Sequence, residues 1–307
     1  MTHALSSRDL IDIPSLTVSD IDTILHRARF HRTHLAENTH NCTKLEGKVI
    51  ISLFAEPSTR TRVSFDMAAY RLGAKIIYWD EANSSVAKGE SFVDTIDYLA
   101  SYKPDAIIMR HKEYNAPHFV ATRVSCPVIN GGDSYRAHPT QALLDAMTIL
   151  DYKKTLSGLT VAICGDVAHS RVAADNMALL SMMGARVNIV APINLLPQKT
   201  KFENVHFYTD IKAGFENADV VMALRLQKER MDAAAIPDEQ NYHHHYGVTM
   251  QTLSYAKPDA IVMHPGPMNR GVEISDDVAD DPARSVILKQ AENSVPLRMA
   301  VLDLLLS

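Results

Sequence analysis

Cysteine is scarce: Cys42, Cys126 and Cys164 are the only three among 307 residues. An odd, sparse set is no disulfide framework. Cys126 and Cys164 sit beside apolar, strand-like residues, where a free thiol behaves as a small buried hydrophobe. A reducing cytoplasm fits this usage. No apolar run approaches the roughly 18 residues of a membrane span. The segment Met1 to Asp9 has neither the basic start nor the apolar core of a signal peptide. Basic residues are not in excess either. Lys and Arg number 31 against 36 Asp and Glu, a formal net charge of −5. That balance argues against a dedicated nucleic-acid binder, which carries a basic domain. It leaves room for a small basic pocket.

Several catalytic signatures are also missing. There is no Gly-x-Ser-x-Gly elbow and no His-Glu-x-x-His. The strand ending at Cys164 is followed by Gly165-Asp-Val-Ala-His-Ser-Arg171. A dinucleotide fold would place Gly-x-Gly-x-x-Gly there. The run His243-His244-His245 invites a metal reading, but consecutive residues do not converge easily on one ion. No carboxylate or Cys cluster supports them, so no metal is expected.

What is present is a regular alternation. Hydrophobic residues make up 46% of the chain, and its length suggests two domains at roughly 150 residues each. Thr17 to Asp20 resembles a capping box before Ile21, Ile24, Leu25 and Ala28 at helical spacing. Apolar runs at 48–55, 74–79, 105–109, 127–130, 159–164, 186–191, 205–208, 219–224 and 260–263 read as strands. Gly131-Gly132-Asp133 reads as a turn. Helices are expected from Ser58 to Gly73, over 91–102, 116–123, from Pro139 to about 150, over 170–183 and over 295–306. Strands alternating with helices imply parallel sheets covered on both faces. The predicted fold is therefore α/β, with two doubly wound parallel-sheet domains joined near 136–155.

Ligands of such sheets bind at the carboxyl ends of strands, and the informative residues fall there. After the first strand comes Glu56-Pro-Ser-Thr-Arg-Thr-Arg62. A helix start favours an anion. Ser58, Thr59 and Thr61 add hydroxyls, and Arg60 adds a planar fork suited to phosphate. Arg110 follows another strand directly. His138 and Gln141 open a helix, one turn apart on one face. An imidazole there can polarise a carbonyl oxygen. Arg171 stands at a further helix start. Arg225 and Gln227 alternate after a strand, which places both on one side of an extended segment. In His264-Pro-Gly-Pro267 the prolines remove donors and leave carbonyls free to accept. Lys88, beside Gly89 in a loop, is a mobile cation. Taken singly, each has an ordinary structural alternative: a Ser cap, a solvated loop, a strand-end charge, a satisfied core histidine.

Their combination and order resemble the aspartate/ornithine carbamoyltransferase family over nearly the whole chain. Ser-Thr-Arg-Thr at 58–61 and His-Pro-Thr-Gln at 138–141 look like its shared carbamoyl-phosphate motifs. Arg225 to Arg230 and His264 to Pro267 look like the aspartate branch and its catalytic chain. The ornithine branch carries a His-Cys-Leu-Pro segment near the second position, whereas no Cys here lies beyond Cys164. The resemblance implies that residues 1–137 bind carbamoyl phosphate, completed by a C-terminal helix at about 290–307. It implies that 138–289 bind aspartate, with the active site in the cleft between the domains.

By the same resemblance, Ser58, Thr59, Arg60, Thr61 and Arg110 hold the phosphate. Arg60, Thr61 and His138 contact the carbonyl oxygen. Gln141 and the carbonyls of Gly266 and Pro267 hold the carbamoyl amine. Lys88, Arg171, Arg225 and Gln227 bind the aspartate carboxylates. Ser85 and Lys88 reach in from a neighbouring subunit, which makes the catalytic unit a homotrimer with shared sites. The implied reaction carbamoylates the α-amine of L-aspartate, giving N-carbamoyl-L-aspartate and phosphate, early in pyrimidine synthesis. No cofactor is implied. Regulatory or dihydroorotase chains are conceivable partners. Elementary electrostatics agrees, because two polyanionic substrates side by side need several cations. Arg60, Lys88, Arg110, Arg171 and Arg225 supply five; unpaired charges buried together would be very costly. Transfer to another amine such as ornithine, or a non-catalytic scaffold role, are the alternatives.

Overall fold

The computed structural model describes residues 5–37, 43–79, 89–231 and 237–307. It divides into two units, 1–143 with 293–307, and 144–292.

The first unit opens with α1 (Val18–Ala36). Its capping box forms as the sequence predicts: Thr17 accepts from the Asp20 N–H, and Asp20 accepts from the Thr17 N–H. Such a cap contributes about 1 kcal/mol. Ile21, Ile24, Leu25 and Ala28 all face inward. Then follow β1 (Val49–Phe54), α2 (Thr59–Leu72), β2 (Lys75–Trp79), α3 (Phe92–Ser101), β3 (Ala106–His111), α4 (Ala116–Arg123) and β4 (Val128–Asp133). The four strands form a parallel sheet in the order β2-β1-β3-β4. β1 pairs with β2 on one side and β3 on the other, so the strand order reverses between β1 and β3. That is the switch point at which this architecture opens a ligand crevice.

The last helix, α12 (Ser294–Leu306), also belongs to this unit. Its buried Asp303 accepts from Arg27 at 2.8 Å and pairs with His31 at 2.9 Å and Lys44 at 2.5 Å. Those partners come from α1 and the segment before β1, which explains why a helix at the far end of the chain completes the first unit.

One expectation is corrected here. Gly131, Gly132 and Asp133 are not a turn but the end of β4. The Asn130 side chain accepts from the Gly132 N–H at 2.7 Å and donates to Asp133 at 2.8 Å, which holds the segment extended. Gly131 is wedged so closely that an added Cβ would lie 3.3 Å from both the Met109 carbonyl and the Phe54 ring.

The joint expected at 137/138 falls at 143/144, within α5 (Pro139–Lys153). The first turns of that helix are held to the first unit. His138 meets Thr61, and Arg298 of α12 reaches the Thr140 hydroxyl at 3.4 Å.

The second unit contains β5 (Thr160–Gly165), α6 (Arg171–Met182), β6 (Arg186–Val190), β7 (Val205–Tyr208), α7 (Ile211–Phe215) and β8 (Val220–Leu224). After these come α8 (Glu239–Tyr246), α9 (Met250–Leu253), β9 (Ile261–Met263), α10 (Asp276–Ala279) and α11 (Ile287–Glu292). Its parallel sheet has the order β7-β6-β5-β8-β9, so the switch point lies between β5 and β8. The strands are near-continuous apolar runs, as befits a sheet covered on both faces. The short helices α7 to α11 carry too few turns to give a readable period, and the sequence does not announce them.

Among the described residues, no helix is long and apolar enough to cross a membrane.

Candidate active site

In the first unit the predicted residues gather around the β1/β3 switch point. β1 delivers the chain to Glu56 and Pro57, and α2 starts at Thr59. Ser58 takes the extended N-cap conformation, but its side chain makes no capping hydrogen bond. The expectation that it caps α2 is thus met in backbone only, and its hydroxyl is not committed to the helix start. Thr59 and Arg60 are exposed, while Thr61 is buried. A pocket of about 320 Å³ opens beside this turn, lined by Phe54, Glu56, Pro57, Ser58, Thr59, Arg62 and Val63.

Arg110 leaves the end of β3. Its guanidinium donates to the Gly131 carbonyl at 3.2 Å and to Glu56 at 2.9 Å. Glu56 escaped the sequence reading. Its position after β1 carries no pattern of its own, and only the neighbouring strand shows that it faces an arginine. Arg62 also went unassigned; it lies over the Tyr78 ring at 4.5 Å.

His138, 4% exposed, approaches Thr61 with Nε2 3.3 Å from Oγ1. Its carbonyl accepts the Gln141 N–H at 2.9 Å, which closes the first turn of α5. Gln141 is itself buried. Thr61, His138 and Gln141 therefore come together in one buried patch at two helix starts.

In the second unit the cations flank the β5/β8 switch point. Arg171 is the first residue of α6 and is almost wholly buried. Ser170 caps that helix by accepting from the Ala173 N–H at 3.2 Å. Arg225 follows β8 and donates to Gln227 Oε1 at 3.1 Å, so the alternating pair does meet. Arg225 also forms a two-pronged ion pair with Glu229, a residue the sequence reading passed over. Burial pushes the Glu229 carboxyl upward, but the hydrogen bond and charge of Arg225 outweigh it and leave its pKa lowered.

The two strand-end loops are tied together by Asp166, which is fully buried. One oxygen pairs with His169 Nδ1 at 2.8 Å and the other accepts the Gln227 N–H at 3.0 Å. Gly165 makes this approach feasible. At φ +142, an added Cβ would lie 2.1 Å from the Leu224 carbonyl oxygen.

The turn after β9 carries Gly266 and Pro267, joined by a cis peptide bond. His264 Nδ1 accepts the Gly266 N–H at 2.8 Å, and Nε2 lies 3.0 Å from Glu273. Ser85 and Lys88 lie outside the described residues.

Cys164 is not placed for chemistry. Burial pushes its thiol up to about 12, and it donates to the Tyr246 carbonyl at 3.4 Å. Among the described residues, no three His, Cys, Asp or Glu side chains converge as metal ligands. His243 of the triple-histidine run instead meets the Val272 carbonyl at 2.9 Å.

The structure thus consists of two α/β units, each with arginines at the switch point of its parallel sheet. Residues 8–151 match the carbamoyl-P binding domain of aspartate/ornithine carbamoyltransferase, and residues 157–305 match the Asp/Orn binding domain. The chain belongs to the aspartate/ornithine carbamoyltransferase family. Among its relatives, the aspartate carbamoyltransferase catalytic subunit of Pelagibacter ubique is 46% identical over 301 residues, 98% of this chain and 96% of the relative. That of Acidiphilium cryptum is 49% identical over 304 residues, 98% and 97% of the two chains. Of solved structures, ornithine carbamoyltransferase from Pyrococcus furiosus superposes with a TM-score of 0.89 at 32% identity, covering 99% of this chain and 98% of that one. Aspartate transcarbamoylase from Trypanosoma cruzi, in complex with carbamoyl phosphate and aspartate, gives 0.89 at 29% identity, with 99% and 98% covered.

Proposed function

We propose that the protein transfers the carbamoyl group from carbamoyl phosphate to the α-amine of L-aspartate, giving N-carbamoyl-L-aspartate and phosphate. The fold alone does not choose the acceptor, since aspartate- and ornithine-specific structures superpose equally well. The observation that carries the choice is the near-full-length identity of 46–49% to aspartate carbamoyltransferase catalytic subunits, together with Arg225 and Gln227 after β8. A cation facing the acceptor suits a dicarboxylate and opposes a second ammonium group.

In this reading the first unit takes carbamoyl phosphate and the second takes aspartate. Ser58, Thr59, Arg60, Thr61 and Arg110 hold the phosphate. Arg60, Thr61 and His138 face the carbamoyl oxygen. The Thr61–His138 contact supports this pair, because both side chains are buried and turned to one spot. Gln141 and the Gly266 and Pro267 carbonyls take the carbamoyl amine. Arg171, Arg225 and Gln227, with Lys88, take the aspartate carboxylates.

The α-amine attacks the carbamoyl carbon, negative charge builds on the carbonyl oxygen, and phosphate departs with the C–O bond. Each donor aimed at that oxygen is worth about 2.7–4 kcal/mol. Holding both substrates on one protein removes part of the entropic barrier. The leaving phosphate can accept the proton released by the amine, so no side-chain nucleophile is needed.

The enzyme acts as a cytoplasmic homotrimer, with Ser85 and Lys88 completing the site of a neighbouring copy. Exposed apolar side chains one turn apart on α2, Val63, Met67 and Tyr70, the last 83% exposed, support association. The deciding experiment is phosphate release from carbamoyl phosphate with aspartate or ornithine offered side by side. Turnover with aspartate alone is expected; turnover with ornithine, or with neither, overturns the reading.

A further inference from the structure

The turn that presents Gly266 and Pro267 has few means of holding itself in shape. Pro265 and Pro267 carry no N–H, so Gly266 is the only backbone donor between His264 and Met268. That N–H goes to His264 Nδ1 at 2.8 Å. A nitrogen that accepts a hydrogen bond carries no proton, so the ring hydrogen sits on Nε2. Nε2 then donates to Glu273 Oε1 at 3.0 Å. The same oxygen accepts the Asn269 N–H at 2.6 Å. One carboxylate oxygen thus grips the turn from both sides, at 264 and at 269.

Glu273 and His264 are 1% and 3% exposed, and a carboxylate so buried is retained only with partners. The start of the turn is fixed as well. The His264 N–H donates to Gln290 at 3.0 Å, and Gln290 donates to Asp145 at 2.6 Å. Asp145 also accepts from Asn176 at 2.8 Å. All of these side chains are buried, so the strand end is anchored through its own hydrogen bonds, and beyond it the His264 ring is what fastens the turn.

We propose that Glu273 is a positioning residue for carbamoyl transfer: through His264 it sets the tautomer that fastens Gly266 and so aims the Gly266 and Pro267 carbonyls. The inference rests on the reading that these carbonyls hold the carbamoyl amine.

The test uses the full-length enzyme with Glu273→Ala, Glu273→Gln, His264→Phe and the Glu273→Ala/His264→Phe double variant. Steady-state kinetics are measured for both substrates, with thermal melts alongside. Glu273→Ala and His264→Phe should each raise the carbamoyl phosphate KM and lower kcat, together by about tenfold to a hundredfold, while the aspartate KM stays put. The double variant should be no worse than the poorer single one. Glu273→Gln should recover most of the loss, because its amide oxygen still accepts from Nε2–H and the Asn269 N–H. Should Glu273→Ala fail to fold, His264→Phe keeps the ring volume and gives the same readout. Wild-type kinetics in the folded alanine or phenylalanine variant overturn the inference. So does an equal rise in both KM values, or a glutamine variant as poor as alanine. Wild-type turnover with an unaffected Glu273→Ala sinks this inference alone; no phosphate release from the wild type with aspartate sinks the functional reading beneath it.

Discussion

Thr61 Oγ1 lies 3.3 Å from His138 Nε2, although the two residues are separated by 77 positions in the chain. Each stands at the start of a helix that follows a strand of the same parallel sheet. The sheet order, not proximity in sequence, brings the two together. Ser-Thr-Arg-Thr and His-Pro-Thr-Gln therefore meet through Thr61 and His138.

Arg60 is exposed and stands in the first turn of α2. Replacing it should leave stability within about 0.5 kcal/mol, as for most surface substitutions. Arg60→Ala should nonetheless lower kcat by at least about a hundredfold, the cost of losing one donor to a developing oxyanion. Phosphate release measured beside a thermal melt separates the two effects. Near-normal turnover refutes the phosphate and carbonyl assignment.

Arg225 contacts Gln227 and Glu229 but stands well away in sequence from the carbamoyl-phosphate motifs. Arg225→Ala should raise the aspartate KM by about tenfold or more, the scale of one charged hydrogen bond. The carbamoyl phosphate KM should change far less. Equal shifts in both would remove Arg225 from the acceptor site.

If active sites are shared between copies, two dead chains can repair each other. Arg60→Ala and Lys88→Ala subunits, each inactive alone, should regain part of the wild-type activity when dissociated, mixed and reassembled. Mixed trimers verified by mass yet still inactive would rule out sharing.

Gly165 pairs with Leu224 at the β5/β8 switch point. A methyl group there meets the Leu224 carbonyl oxygen at 2.1 Å in a backbone region that side chains avoid. Gly165→Ala should cost about 3 kcal/mol or more, since overpacking and backbone strain add. Chemical denaturation reads the loss directly; a stability like that of the wild type would mean that β5 and β8 part without cost.

Asp20 provides a pH test. Burial pushes its carboxyl upward, but hydrogen bonds from the hydroxyl and N–H groups of Ser6 and Thr17 prevail and bring its pKa from 3.8 to about 2. A depressed folded-state value means that the group stabilises the fold fully above the unfolded value. That stability is lost as pH falls through about 2. Asp20→Asn should therefore be less stable than the wild type at about pH 6, with the gap closing between about pH 4 and 2. A gap independent of pH would show that charge plays no part at this cap.

Much of the architecture was legible because parallel strands buried on both faces have to be apolar, and the helices between them have to be amphipathic. Among the described residues, strands appear where the apolar runs stand, and the capping box at Thr17 forms as spelled. The short helices α7 to α11 were not legible, since they owe their existence to packing against strands rather than to their own pattern. Gly131 to Asp133 misled for a related reason. Two glycines suggest a turn, but here Gly131 lies where an added Cβ would press on the Phe54 ring and the Met109 carbonyl, and Gly132 takes a φ of +122 that side chains avoid.

The sequence by itself determined which cations, hydroxyls and turns lie at strand ends, because those positions follow from the alternation of strand and helix and from short motifs such as Ser58 to Thr61. Only the tertiary structure decided which strand ends are neighbours. It set β1 beside β3 and β5 beside β8, paired Arg110 with Glu56, and closed Glu273 onto the turn after β9 through His264. Strand order and long-range carboxylate partners are chosen by the packing of whole sheets and helices, and no local stretch of residues encodes that choice.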